Sequence, residues 1–151
     1  MKGTAPNQDS IDARYRSMLI LWIGQVMSVL LFFMVTQFLE PPNDLSENNV
    51  LSFVLAGVGT FCAIISFFVR GKLLQQSVEK QDLALVQTAV ITGRALCEVP
   101  AVLGVAERFL LPGREYLLLL IISLVAMILH YPRRSDLLAA SYKDPSFGVS
   151  S

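Results

Sequence analysis

The hydrophobic positions of this chain gather into four long runs separated by short polar breaks. Ser17–Leu39 reads SMLILWIGQVMSVLLFFMVTQFL and Val50–Val69 reads VLSFVLAGVGTFCAIISFFV. Leu83–Val105 reads LALVQTAVITGRALCEVPAVLGV and Glu115–Tyr131 reads EYLLLLIISLVAMILHY. Each approaches the roughly 20 apolar residues that a helix needs to cross the hydrocarbon of a bilayer. The first run is longer than the ~7–15 apolar residues of a secretory signal, and no small-residue cleavage site follows it, so it is expected to remain as an anchor. The breaks carry stop signals. Pro41-Pro42-Asn43-Asp44 closes the first helix in a tight polar loop, and Val69-Arg70-Gly71-Lys72 sets cations and a glycine at the end of the second. Leu111-Pro112-Gly113 precedes the fourth helix and Pro132 stops it. The polar stretch Leu73–Asp82 is expected to extend the third helix beyond the membrane, with Leu74 and Val78 on one face. The pattern therefore predicts an all-α integral membrane protein, a four-helix bundle running up-down-up-down. Residues 1–16 form an N-terminal tail, 17–131 the transmembrane domain with spans at about 17–39, 50–69, 83–105 and 115–131, and 132–151 a C-terminal tail.

Charge adds an orientation. Lys2, Arg14, Arg16, Arg70, Lys72, Lys80, Arg133, Arg134 and Lys143 fall on one side of a four-span arrangement, whereas Arg108 and Arg114 fall on the other. Basic residues accumulate on the cytoplasmic side, so both termini are expected in the cytoplasm. The loop Glu40–Asn49, with three acids and no base, is expected on the far side. Tyr15, Tyr116 and Tyr131 sit at helix ends, where aromatic belts form. Composition agrees: 54% of residues are hydrophobic and only 16% charged, against about 25% charged in a soluble domain. The formal net charge is zero, leaving no basic face for nucleic acid. Cys62 and Cys97 lie far apart inside apolar runs and read as small packing residues. With His130 the only histidine, neither a metal site nor a cofactor is expected. No nucleophile–base grouping is visible, so no catalytic residue is expected and the chain does not read as an enzyme. The expected partners are the lipid bilayer and other membrane subunits, or further copies of the chain.

Arg94 and Glu98 stand out as the only charges in the third run. A charge at the centre of a spanning helix costs roughly 2.5–3.5 kcal/mol, so each is expected to have a partner. Gln87, Arg94 and Glu98 share one helix face, and the four-residue spacing of the last two lets them pair. Counting at ~1.5 Å per residue from the cytoplasmic end puts Arg94 about 16 Å deep and Glu98 about 22 Å. The same count puts Gln25 and Ser123 at about 12 Å and Thr60 at about 13 Å. Gln25, Thr60, Gln87 and Ser123 are thus the expected supporting polar layer around Arg94. Three uses of the pair stay open: a structural ion pair, a site for a proton, cation or polar ligand, or a bond completed by a partner helix. Pro100 is expected to free the carbonyl of Leu96 near Glu98. In the second run, the pairs Ala56/Thr60 and Gly59/Ala63 offer small residues for close helix approach.

The run Gly93-Arg94-Ala95-Leu96-Cys97-Glu98-Val99-Pro100-Ala101 resembles the ion-carrying helix of rotary ATPase proteolipids (subunit c), in which an A-L-x-E core carries one membrane-embedded glutamate. The resemblance implies that Glu98 is an ion-binding carboxylate, and the tandem-hairpin members of that family also have four spans. This chain departs from the pattern in setting its glutamate on the third span, in lacking a glycine-repeat stripe on the first helix, and in carrying Arg94 one turn away. The leading expectation is a non-catalytic integral membrane protein, a small subunit or accessory component of a membrane complex, organised by the Arg94–Glu98 pair. The alternative is proton or cation binding or translocation through Glu98.

Overall fold

The computed structural model describes residues 8–38, 40, 49–111 and 114–141. These residues form five helices: α1 Gln8–Phe38, α2 Asn49–Lys80, α3 Leu83–Leu110, α4 Tyr116–Leu129 and α5 Arg134–Ser141. The expected loop at Pro41–Asp44, the Pro112-Gly113 break and the outermost tails lie outside the described residues. Helices α1, α2 and α3 are each long and apolar enough to cross a membrane. Helix α4 has 14 residues, about 21 Å at 1.5 Å per residue, against the ~30 Å of a bilayer core. It reaches the length of a span only together with α5, from which it is bent by 47°.

Three boundaries differ from the hydrophobic pattern, each for a packing reason. Helix α1 starts nine residues before the first apolar run because Ile11, Tyr15 and Met18 present one face to Val86 and Val90 of α3 and to Leu137 and Ala140 of α5. Those last two residues form α5 inside the expected tail. Leu73–Lys80 continues α2 rather than opening α3, so Arg70-Gly71-Lys72 is not a helix stop. The stop comes at Gln81, whose φ of 51° is left-handed. There Asp82 N–H bonds the Ser77 carbonyl at 3.0 Å and Gln81 N–H bonds that of Val78 at 3.3 Å, a Schellman closure. Asp82 then caps α3 by accepting from Ala84 N–H at 2.8 Å.

Helix α3 is the centre of the array. Of its apolar window 44% is buried, against 22% for α2 and 11% for α1. Its buried positions include Val86, Ala89, Val90, Gly93, Arg94, Cys97, Ala101 and Gly104, the spacing of a helix face sunk into its neighbours. The core adds Val29 of α1, Ala63 of α2, and Leu120, Ala126 and Met127 of α4. Helix α2 approaches closely along its small residues: a Cβ at Gly59 would stand 2.5 Å from Leu119 Cδ2 and 3.4 Å from Pro100 Cα. Much of α1 faces outward, with Ile20, Met27, Leu31 and Phe38 all more than half exposed.

Candidate functional site

Arg94 is 1% exposed, and its Nη1 donates to the Met18 carbonyl of α1 at 3.0 Å. Gln87, on the same face of α3, accepts from Arg14 Nη1 of α1 at 3.3 Å. The polar face of α3 is thus the flank that α1 crosses. Among the described residues, no carboxylate lies within ion-pair distance of Arg94. The expected Arg94–Glu98 pair does not form, although the two share a face as read. Long side chains on a helix lean toward its N-terminus, so an arginine at position i reaches away from i+4; the favourable order places the acid first. Glu98 is half-buried, and no hydrogen bond or ion pair reaches it among the described residues.

The supporting layer is dispersed as well. Ser123 Oγ donates to the Cys97 carbonyl at 2.7 Å, one residue along from the carbonyl that Pro100 was expected to free. Thr60 lines an apolar groove of about 270 Å³ with Ala63, Phe67, Ile122 and Ala126. The side-chain oxygen of Gln25 is buried with no partner among the described residues. Equal counts along the helices do not bring these groups together, because the rotation of each helix aims them elsewhere.

A different cluster closes around Gly93. His130, at the C-terminal end of α4, is 1% exposed, and its Nδ1 lies 2.9 Å from the Ala126 carbonyl and 3.5 Å from Cys97 Sγ. A carbonyl only accepts, so Nδ1 carries the proton and Nε2 is left with a lone pair. Cys97 Sγ donates to Ser66 Oγ at 3.2 Å, and Ser66 Oγ donates to the Ala63 carbonyl at 2.6 Å. The Phe67 ring lies 4.4 Å from the imidazole, centroid to centroid. Arg70 Nη2 donates to the Tyr131 carbonyl and to Asp136 Oδ2, both at 3.3 Å. A Cβ on Gly93 would come within 3.2 Å of both Arg70 Cβ and His130 Cδ2, so the missing side chain lets these two residues close over α3. Trp22 of α1 covers the cluster, its Nε1 donating to the Met127 carbonyl at 2.9 Å and its ring meeting Tyr131 edge-on at 5.1 Å. Tyr15 and Tyr131 join through their hydroxyls at 3.2 Å.

Four buried nitrogens of Arg70, Arg94 and His130 have no hydrogen-bond partner among the described residues: Nε of Arg70, Nε and Nη2 of Arg94, and Nε2 of His130. Sequence reading missed Arg70 and His130, taking the first as part of a helix stop and the second only as a lone histidine unsuited to a metal site. Spacing held a signal for Arg70. Gly59, Ala63, Ser66 and Arg70 recur at four- and three-residue steps, so Arg70 extends the small-residue face that packs on α3. At the other end of the array Glu107 is 2% exposed and accepts from Ser52 Oγ, while Arg108 lies 5.0 Å above the Tyr116 ring and donates from Nε to the Thr36 carbonyl at 3.3 Å.

No protein-family model matches this chain, and no curated protein or solved structure matches it either.

Proposed function

We propose that this chain is a non-catalytic integral membrane protein, a small subunit or accessory component of a membrane complex. In this reading it crosses the bilayer four times, up-down-up-down, with α4 and α5 together as the last crossing and both termini cytoplasmic. The single observation that carries the reading is the use of Arg94. Its fully buried guanidinium ties α3 to the backbone of α1 at Met18, so the most costly polar group of the membrane interior fixes helix placement. Trp22, bonded to the Met127 carbonyl, ties α1 to α4 in the same way. The outward face of α1 then remains for lipid or for other subunits. The test is the mass of the chain extracted from its native membrane in mild detergent. A defined assembly containing other proteins supports the subunit role; a lone monomer or small homo-oligomer contradicts it.

A second reading, proton or cation handling through Glu98, draws on one specific observation: no ion pair among the described residues holds that carboxylate, Arg94 being turned toward α1. The local resemblance to rotary ATPase proteolipids supports the same reading. A carboxylate that exchanges a proton in the membrane reacts with hydrophobic carbodiimides. Labelling at neutral pH that disappears in Glu98→Gln favours this second reading, and an unreactive Glu98 removes it.

A further inference from the structure

Two hollows on the outside of the helix array meet at Phe67, which lines both. The first is the apolar groove between α2 and α4. Ala63 and Ala126 form its floor, at 5% and 4% exposure, whereas Ile64, Ile121 and Leu129 on its rim are each more than half exposed. The second hollow, about 340 Å³, is lined by Phe67, Phe68, Gly71 and Lys72. Gly71 keeps it open. A Cβ there would meet no atom within 4 Å, and Gly71 has no positive φ. Neither packing nor a turn therefore asks for glycine at this point, although glycine weakens a helix interior. Lys72 is exposed and makes no hydrogen bond or ion pair among the described residues. An apolar channel thus leads to an unpaired cation.

The geometry points to a binding site for an acidic phospholipid, with an acyl chain in the α2–α4 groove and the headgroup phosphate at Lys72. Length supports this occupant. From residue 60 to residue 72 the face of α2 rises about 18 Å at 1.5 Å per residue, close to the ~15 Å of hydrocarbon in one leaflet. Thr60 then lies near the bilayer midplane and Lys72 at the headgroups. Width supports it too. Spread over the roughly 10 Å from Thr60 to Phe67, 270 Å³ makes a channel about 5 Å across, too narrow for a helix of ~10–12 Å. Charge selects among lipids. Phosphatidylcholine carries its own cation beside the phosphate, whereas an acidic lipid leaves a net negative charge for the Lys72 ammonium and its three donors. The site rests on the membrane placement proposed above and not on the subunit role.

Photolabelling of the full chain, reconstituted in phosphatidylcholine vesicles, tests this. Two probes, phosphatidylglycerol and phosphatidylcholine, carry the same photoactivatable acyl chain, and labelled peptides are mapped. The outward face of α1 serves as the reference for bulk lipid. The site predicts label on residues 60–67 and 121–129. It also predicts a groove-to-α1 ratio about five-fold higher for the phosphatidylglycerol probe, the effect of one lysine at a membrane surface. Lys72→Gln should bring the two probes level, and Lys72→Arg should keep the preference. Gly71→Leu, which fills the second hollow and favours the helix, should lower groove label by at least half and leave α1 label unchanged. Equal ratios for both probes, or a preference that survives Lys72→Gln, overturn the site and leave the membrane placement intact. A groove without label beside a labelled α1 also overturns it, a second copy of the chain then covering the groove. Label on neither overturns the membrane placement as well.

Discussion

Arg94 and Glu98 show how far side-chain chemistry on one helix depends on direction as well as spacing. Their four-residue interval puts them on one face, but the arginine comes first and leans back toward Met18 of α1. Because the two do not touch, Arg94→Leu and Glu98→Leu should act independently. The loss of stability in the double variant, measured by unfolding in detergent, should equal the sum of the single losses within about 0.5 kcal/mol. A double variant more stable than either single one would instead reveal a direct pair. The sequence was legible here in part: it marked Arg94 as a buried group in need of a partner, and Gln87 as its neighbour on the face. It did not reveal that Arg70 and His130 close over α3 at Gly93, because contacts between helices depend on the rotation of each helix. Hydrophobic runs fix height in the membrane and leave rotation open.

Among the elements, the joint between α2 and α3 carries the clearest local code, and it is the part most readily misread. Gly71 looks like a stop, yet α2 continues to Lys80, because Gly71 does not take a positive φ and the left-handed turn that closes the last carbonyls lies further on. Gln81 takes that role at φ 51°. A non-glycine residue in this region costs roughly 1–2 kcal/mol, so Gln81→Gly should stabilise the chain by up to about 1 kcal/mol. Asp82→Ala, which removes the cap accepting from Ala84 N–H, should cost about 1 kcal/mol. Denaturant or thermal unfolding of both variants checks the opposite signs. The small-residue face of α2 was legible from spacing, and Gly59 is its tightest point. Gly59→Leu should cost about 1–3 kcal/mol, since the new side chain meets Leu119 and Pro100. A neutral Gly59→Leu would mean that α2 does not pack against α3 and α4 as described.

At the scale of the whole molecule, all-helical character and apolar helices of membrane-crossing length were legible from hydrophobicity alone. The number of crossings was less so, because it turns on α4. A helix of 14 residues covers about 21 Å, and only its bent continuation into α5 makes a full crossing available. In the proposed arrangement the shared side of the two termini rests on that fourth crossing. Single cysteines introduced by Ser10→Cys, Arg114→Cys and Ser141→Cys, in a chain with Cys62 and Cys97 replaced by alanine, measure it in sealed membranes with an impermeant thiol reagent. The account predicts that positions 10 and 141 react from the cytoplasmic side and position 114 only from the opposite side. Reaction of position 141 from the same side as position 114 would mean three crossings, and would contradict the proposed four-span arrangement.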